Sequence, residues 1–252
     1  MRNGMGWAFC LMSFVGACVS HSQVDRADAG VVEPAPPEAG SCDTVVLTSR
    51  DDYEAARDCI RIDGDLLVSA DSSVDRLEFP RLIEITGKIS PVYVELPHLL
   101  RTLRFPVLQN VGGSVELSAT RAAKVAWPEL RTIGGNLMVD VSPELVSFAA
   151  PKLEHVGGTV EFASDLELKR LDLRSLNAVG GDLVIIEDYR LDELKLESIA
   201  SVAGAVQLDG LYRLNRDELT PIWNAGDKSR PIGEIDCCEA ESCANVDPVR
   251  CE

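Results

Sequence analysis

The sequence predicts a mainly β protein, folded as a right-handed parallel β-helix with short capping helices. The first observation is a repeat, because one glycine-containing motif recurs with spacings of 23, 26, 22, 23, 23 and 23 residues. The origin glycines of its seven copies are Gly64, Gly87, Gly113, Gly135, Gly158, Gly181 and Gly204. The second observation is the pattern after each glycine: residues +2 and +4 are almost always apolar, and residues +1 and +3 are mostly polar or small. Such alternation is typical of a strand with one buried face, and self-similarity at this period marks a solenoid of about seven turns.

The remainder of each unit predicts a second short strand and a corner. Hydrophobic residues at offsets +13 and +15 predict that strand, and those at +18 and +21 are expected to fill a corner before the next glycine. No unit contains a stretch with helical periodicity that is long enough for a regular helix. Prolines, whose missing N–H favours strand ends and corners, recur at equivalent places: Pro80, Pro106, Pro128 and Pro151.

Three segments show the motif most clearly: Ile133–Val139, Val156–Phe162 and Val179–Ile185. Their Gly-x-apolar-x-apolar strand and apolar-Gly-Gly junction, with the apolar-Pro-x-Leu corner, resemble the receptor L domain, the β-helical module of the insulin and epidermal growth factor receptors. They are similar above all to its stand-alone relatives in bacterial and fungal surface proteins. The resemblance covers about residues 42–215 and implies leucine-rich-repeat character. The chain departs from the family in its 26-residue second unit, which has an insertion around residues 90–97, and in having no cysteine-rich or kinase region.

Residues 1–17 have the features of a secretory leader. An apolar run from Trp7 to Val15 is too short to span a bilayer but fits the apolar region of a signal peptide. The run ends in Val15-Gly16-Ala17-Cys18, which resembles a bacterial lipobox and so implies that Cys18 is diacylated and becomes the mature N-terminus. The alternative is an ordinary signal-peptidase site, because Val15 and Ala17 also satisfy the small-residue rule.

The number of cysteines favours the lipoprotein over plain secretion. The chain has eight cysteines, and the loss of Cys10 with the leader and the lipidation of Cys18 leave six. Plain secretion would leave an odd number and therefore an unpaired thiol. Val19, in place of an aspartate, is similar to the sorting position of outer-membrane lipoproteins. We therefore expect an exported protein that is attached by lipid to the outer membrane or cell surface.

Composition divides the mature chain into three parts. Residues 18–41 combine three prolines with alanine, glycine and charged residues, and this lack of core-forming side chains predicts a flexible tether. Residues 42–236 are expected to form the receptor L domain-like solenoid with its caps. Residues 237–252 form a cysteine-rich tail.

The open apolar end of the first turn is expected to be covered by a cap in residues 42–61. Ser49 followed by Asp52 is a helix-start signature. Cys42 and Cys59 bracket this predicted helix, and no other cysteine follows before the C-terminal cluster. In an exported chain they are expected to form a disulfide.

A closing helix is expected in residues 213–225. Apolar side chains recur there at helical spacing, and Pro221 would lie near the first turn. Trp223 is expected to plug the last turn of the solenoid.

The four C-terminal cysteines fit either two disulfides or a zinc site. In a cytosolic chain Cys237, Cys238, Cys243 and Cys251 would suggest zinc, but the export signal and irregular spacing favour disulfides. The neighbouring side chains of Cys237 and Cys238 diverge, so each is expected to pair with one of the other two. Which pairs with which stays open.

Charge and motif content argue against nucleic-acid binding and catalysis. A formal charge of −17 gives a surface that repels phosphate backbones. His21, His98 and His155 lie in separate segments, and the chain has no HExxH, GxSxG, P-loop or GxGxxG motif. We therefore expect a non-catalytic protein without a cofactor or a metal.

One cluster of carboxylates has two interpretations. Such a cluster can bind calcium or a cationic partner, but it is more often a solvated loop, which is the interpretation that we prefer. The residues are Glu187, Asp188, Asp192 and Glu193.

The outward strand positions +3 and +5 are expected to stack into columns across the turns. They mix acidic and apolar side chains, as protein-contact patches do. The residues of this candidate surface, which we call the sheet face, are Glu116, Met138, Asp140, Glu161, Val184, Ile186 and Gln207. The predicted function is a lipid-anchored cell-envelope protein that binds a protein or glycan through the sheet face. The alternative is a structural envelope or coat component without a discrete ligand.

Overall fold

A computed structural model describes residues 40–69, 75–92 and 100–226. Within them the chain forms a parallel β-solenoid of about seven turns with two short helices, which confirms the predicted fold class. The leader, Cys18, most of the tether and the C-terminal cysteine cluster lie outside the described residues, so those predictions stay predictions.

Three parallel ladders make up the solenoid. The face ladder holds the strands that follow the origin glycines: β2 (Arg61–Ser69), β5 (Ile89–Val92), β8 (Val115–Glu116), β11 (Leu137–Asp140), β14 (Val160–Ala163), β17 (Leu183–Ile186) and β20 (Val206–Asp209). The second ladder holds β3 (Arg76–Glu78), β6 (Thr102–Arg104), β9 (Lys124–Ala126), β12 (Ser147–Ala149), β15 (Arg170–Asp172) and β18 (Glu193–Lys195). The short ladder holds β4 (Glu84–Ile85), β7 (Asn110–Val111), β10 (Thr132–Ile133), β13 (His155–Val156), β16 (Ala178–Val179) and β19 (Ser201–Val202). The long strand β2 pairs with both β4 and β5 and so joins the face ladder to the short ladder.

The short ladder takes the place of the corner that the sequence predicts around offset +21. Its strands pair in register from turn to turn, for example Thr132 with His155 and Ile133 with Val156. In each strand only the second residue is buried. Two residues are too few to show alternation, so the sequence reveals the buried position without revealing the strand.

Apolar side chains fill the interior of the solenoid at the predicted offsets. In the 23-residue units the residues at +2, +4, +13 and +15 are nearly all buried, and in the second and third units the buried pairs of the second ladder are Leu103 with Phe105 and Val125 with Trp127. A chain of aromatic rings runs through this core, with neighbouring centroids 5.1 to 5.8 Å apart, which is the spacing of favourable aromatic pairs. In order the rings belong to Tyr53, Phe79, Phe105, Trp127, Phe148 and Phe162.

Four of the seven origin glycines follow a second glycine, and at these four positions the backbone of the preceding turn comes very close. A Cβ on Gly134, Gly157 or Gly180 would lie 2.1 Å from the carbonyl oxygen of the equivalent glycine in the preceding turn. That distance is far inside van der Waals contact, so a side chain at these three positions would force the backbone of one turn to shift. The repeated Gly-Gly junction is therefore a consequence of the parallel stack.

The N-terminal cap contains the predicted helix together with a strand that the sequence does not predict. Helix α1 (Arg50–Ala56) begins with the predicted capping box of Ser49 and Asp52, and the hydrogen bonds from Thr48 and Ser49 lower the pKa of Asp52 to about 2. The Cys42–Cys59 disulfide is present, with a Cα–Cα distance of 6.0 Å, which confirms that pairing. Strand β1 (Ser41–Leu47) precedes the helix and pairs in parallel with β2.

The closing helix α2 (Arg216–Asn224) is shorter than predicted. A capping box of Asn215 and Glu218 starts it, so Pro221 falls in the helix interior rather than near the first turn. Leu219 and Ile222 are buried, and the partly buried Trp223 packs against the core of the last turn. Neither helix in the described part of the chain has the length and apolar character that a membrane span requires.

Candidate binding face

The structure places the residues of the sheet face in two columns on consecutive strands of the face ladder. In the +3 column, Met138 pairs in register with Glu116 and Glu161, and Val184 pairs with Glu161 and Gln207. The +5 column holds Asp140, Ala163, Ile186 and Asp209 in register. All seven side chains of the sheet face are partly exposed, because the +2 and +4 neighbours take the inward positions. Whether this surface binds a ligand stays a prediction.

The +1 column of the same strands holds the turns together. Asp65, Asn136 and Asp182 each accept a hydrogen bond through Oδ1 from the backbone N–H at the same offset in the next turn, at 2.9, 2.9 and 2.7 Å. Ser114 and Thr159 do the same through their hydroxyl oxygens. A side chain with an acceptor oxygen is thus used structurally at +1, which explains the polar residues there.

The surface of the face ladder is acidic and its charges are not neutralised by neighbours. The outward positions +1, +3 and +5 carry one cation, Lys88, against six carboxylates: Asp65, Glu116, Asp140, Glu161, Asp182 and Asp209. Among the residues that the structure describes, no ion pair includes any of these seven. Glu116 accepts a hydrogen bond from the Ser90 hydroxyl at 2.5 Å, and Asp140 accepts one from Ser118. These bonds leave the negative charge in place.

Charges elsewhere on the solenoid are compensated between turns. Arg131 pairs with Glu154 at 3.1 Å and Lys152 with Glu129 at 2.7 Å, each across one turn. On the second ladder, Arg104 pairs with Glu78 at 3.4 Å, and Glu193 contacts both Arg170 and Lys195. Exposed pairs of this kind contribute little stability, but they neutralise those surfaces. The sheet face is therefore the electrostatically distinct side of the described chain.

A column of polar residues is buried at offset +7, just after the face ladder. The Thr120 N–H donates to the Ser142 hydroxyl oxygen at 3.3 Å, and the N–H groups of Ser142 and Asp165 donate to Oδ1 of Asp165 and Asp188 at 2.7 and 2.9 Å. Both aspartates are fully buried, and their Oδ2 atoms have no hydrogen-bond partner. Burial raises the pKa of Asp165 to about 8 and that of Asp188 to about 7.

This column corrects the solvated-loop interpretation of the acidic cluster. Glu187 and Asp192 are exposed and Glu193 forms ion pairs, but Asp188 lies in the interior. The described residues contain no group of three His, Cys, Asp or Glu side chains that could hold a metal ion. The acidic cluster is thus divided between the core and the surface.

A left-handed residue at offset +6 turns each +7 side chain inward. Ala119, Val141, Ser164 and Glu187 have φ angles of 55, 50, 58 and 59°, and Gly210 has 70°. Such angles are rare for residues other than glycine. Sequence reasoning missed this turn, although the recurring polar residue at +7 is a signal that could have revealed it.

Sequence reasoning also missed an exposed apolar line beside the sheet face. Val141, Leu166 and Tyr189 lie at offsets +6 or +8 of three successive turns, with exposed fractions of 57, 51 and 42%. Tyr212 follows at +8 of the next turn, and its ring stacks on that of Tyr189 with centroids 5.6 Å apart and an interplanar angle of 6°. We call these four residues the apolar corner.

Comparison of the chain with protein-family models, curated proteins and solved structures gives no match. The fold itself defines the class of protein, which is a parallel β-solenoid. The narrower resemblance to the receptor L domain depends on the motifs of the sequence.

Proposed function

We propose that this chain is a non-catalytic, lipid-anchored envelope protein of the receptor L domain type, exported to the outer membrane or cell surface. Its solenoid would present the sheet face to a protein or glycan ligand. The Val-Gly-Ala-Cys sequence after a short apolar leader supports the anchor, and the repeat motifs support the family.

The observation that carries the binding role is the charge and polarity of the sheet face. Met138, Val184 and Ile186 are partly exposed among carboxylates that have no ion-pair partners in the described part of the chain. A purely structural component needs only a polar exterior, whereas a contact patch mixes apolar and charged side chains. The regular ladder also holds these side chains on a rigid support, which limits the entropy lost on binding.

The binding role is tested by capture from the native envelope with the full chain as bait. The variant M138K/V184K changes two outward positions of the face ladder. The matched control A126K/A149K makes the same change at two partly exposed positions of the second ladder. We expect a ligand that the wild-type and control proteins capture and the face variant does not. Equal capture by all three proteins would mean that the ligand binds away from the sheet face, and capture by none would favour the structural role.

The anchor and the cysteine pairing are tested by mass spectrometry of the mature protein. We expect a diacylated Cys18 as the first residue and loss of membrane association in the Cys18→Ser variant. An unmodified Cys18, or a mature start further downstream, would refute the lipid anchor. Non-reducing peptide mapping should link the four C-terminal cysteines to one another, and bound zinc with free thiols would contradict this.

A further inference from the structure

The apolar corner is a continuous exposed feature of the solenoid. Its four residues lie on consecutive turns, so they extend over about 14 Å at a spacing of about 4.8 Å per turn. Half of the six large hydrophobic residues exposed in the described part of the chain belong to it. Isolated exposed hydrophobic residues are normal, but a line of them on one edge indicates a contact surface.

The fold itself does not require apolar side chains at this edge. At offset +8 an earlier turn carries Arg121, which pairs with Glu144 at 2.6 Å. A charged residue is therefore compatible with the solenoid at this position. Leu166 and Tyr189, at the same offset, contribute little to the core because about half of each side chain is exposed.

The aromatic part of the apolar corner is already ordered. Tyr189 and Tyr212 stack with nearly parallel rings, and Tyr189 lies so close to Gly210 that a Cβ there would meet its ring at 2.9 Å. Tyrosine side chains that are fixed before binding lose little entropy, and tyrosine is enriched among the residues that dominate binding energy.

The uncompensated charges beside the apolar corner select the partner, because Arg190 and Arg213, which follow Tyr189 and Tyr212, are paired with Glu167 and Asp192. Asp140 directly precedes Val141, and Ile186 and Asp209 end their strands three residues before Tyr189 and Tyr212, so the corner borders the acidic sheet face. A second copy of this chain would bring another acidic surface, and like charges oppose that contact. We propose that the sheet face and the apolar corner form one docking surface for a basic protein segment. Its lysine or arginine side chains would face Asp140, Glu161 and Asp209, and an apolar side chain would pack on Leu166 and Tyr189.

This inference rests on the proposed function, and its test uses a defined probe. The probe is a short fluorescent peptide in which lysine alternates with leucine, and the matched probe has glutamate in place of lysine. Anisotropy is measured with the full chain. We expect binding of the lysine peptide alone, and binding that weakens as salt rises from about 0.05 to about 0.3 M.

Two pairs of variants locate the contact. L166S/Y189S should weaken binding by about tenfold or more, as expected for the loss of anchoring side chains. The control I83S/V146S removes similarly exposed hydrophobic residues elsewhere and should change binding less than about twofold. D140N/E161Q should also weaken binding, whereas E129Q/E154Q removes the same charge away from the face and should not.

The outcomes separate the two proposals. Equal losses in test and control variants, equal binding of both peptides, or no binding of the lysine peptide would each overturn the basic-partner inference. If envelope capture still depends on Met138 and Val184 in that case, the ligand has another chemistry and the proposed function stands. If capture does not depend on them either, both fail.

Discussion

Replacing Asp165 and Asp188 by asparagine should stabilise the protein at neutral pH. In each aspartate Oδ1 accepts a hydrogen bond from a backbone N–H, while the buried Oδ2 has no hydrogen-bond partner. Ser142 in the same column forms hydrogen bonds in both directions. Its hydroxyl accepts one from the Thr120 N–H and donates one to the Leu117 carbonyl at 3.1 Å. An ionised carboxylate has no proton to donate, whereas a neutral carboxyl has one and a side-chain amide has two. Asparagine therefore keeps the acceptor and the donor of the neutral carboxyl, and the folded state no longer has to hold a proton that the unfolded chain releases.

The magnitude follows from the shifted pKa values. Burial raises the folded-state pKa of the two groups to about 8 and about 7, whereas both are ionised in the unfolded chain above about pH 5. The folded state thus holds protons that the unfolded state has released. The free energy of unfolding is therefore highest below the pKa of the unfolded state. It decreases as pH rises through the folded-state pKa, because folding then requires the uptake of a proton. The slope is about 1.4 kcal/mol per pH unit and carboxyl, so the pair loses up to about 5 kcal/mol between pH 5 and pH 7.

Other shifted acids do not disturb this window. Asp52, Asp63, Asp172 and Glu193 have lowered pKa values, because hydrogen bonds to neighbouring side chains favour their ionised forms. They are ionised in both states above about pH 5, so their contribution does not change there. Among the described residues with shifted pKa values, only those of the +7 column therefore change stability between pH 5 and pH 7.

The assay is urea unfolding of the full chain at pH 5, 6 and 7, followed by tryptophan fluorescence. We expect the wild-type free energy of unfolding to fall with pH, and that of D165N/D188N to stay nearly constant and exceed it at pH 7. D209N changes a partly exposed aspartate outside the column and should retain the wild-type slope. A wild-type stability that rises from pH 5 to pH 7, or a double variant less stable than D209N at pH 7, would refute the reasoning.

Three further predictions concern stability and are measured by thermal unfolding. Gly157→Ala should destabilise by more than about 2 kcal/mol, because its Cβ would clash with a backbone oxygen; a neutral effect would mean that the turns can separate locally. Leu171→Asp should cost several times more than Glu161→Lys, because Leu171 is fully buried and Glu161 points outward; similar costs would contradict the observed phase. Val141→Asn should stabilise by about 0.5–1 kcal/mol, because asparagine tolerates the left-handed φ better than valine. Val146→Asn, in the same turn, should give no gain, and a gain at both positions would point to exposed hydrophobicity instead.

The sequence predicts those parts of the fold in which a periodic pattern of apolar and polar side chains identifies the element. Alternating apolar residues such as Leu137 and Val139 fix both the strand and its inward face. The short ladder could not be recognised from Ile133 or Val156 alone, because a two-residue strand has no period. Strand β1 was missed because no glycine motif precedes it, and its membership in the sheet depends on pairing with β2.

The sequence predicts the columns of the candidate site but neither its unpaired charges nor the apolar corner. A spacing of 22 or 23 residues is enough to place Glu116, Met138 and Glu161 in one column. Whether these carboxylates form ion pairs depends on where the cations of the other ladders lie. The sequence of one column does not show this. The apolar corner was missed because Leu166 and Tyr189 follow a left-handed residue, where neither strand nor helix periodicity applies.

The two ends of the solenoid bear on whether the chain remains soluble at high concentration. A parallel stack offers unpaired backbone groups at its first and last strands, which are templates for fibre growth. At the start, the pairing of β1 with β2 shifts register between Asp43 and Val45, an irregularity that makes an edge a poor template. At the other end the Val202 N–H is already bound to the Ala225 carbonyl beyond α2, at 2.9 Å. Loss of α2 by proteolysis would free this edge and convert a self-limiting stack into a seed for polymerisation.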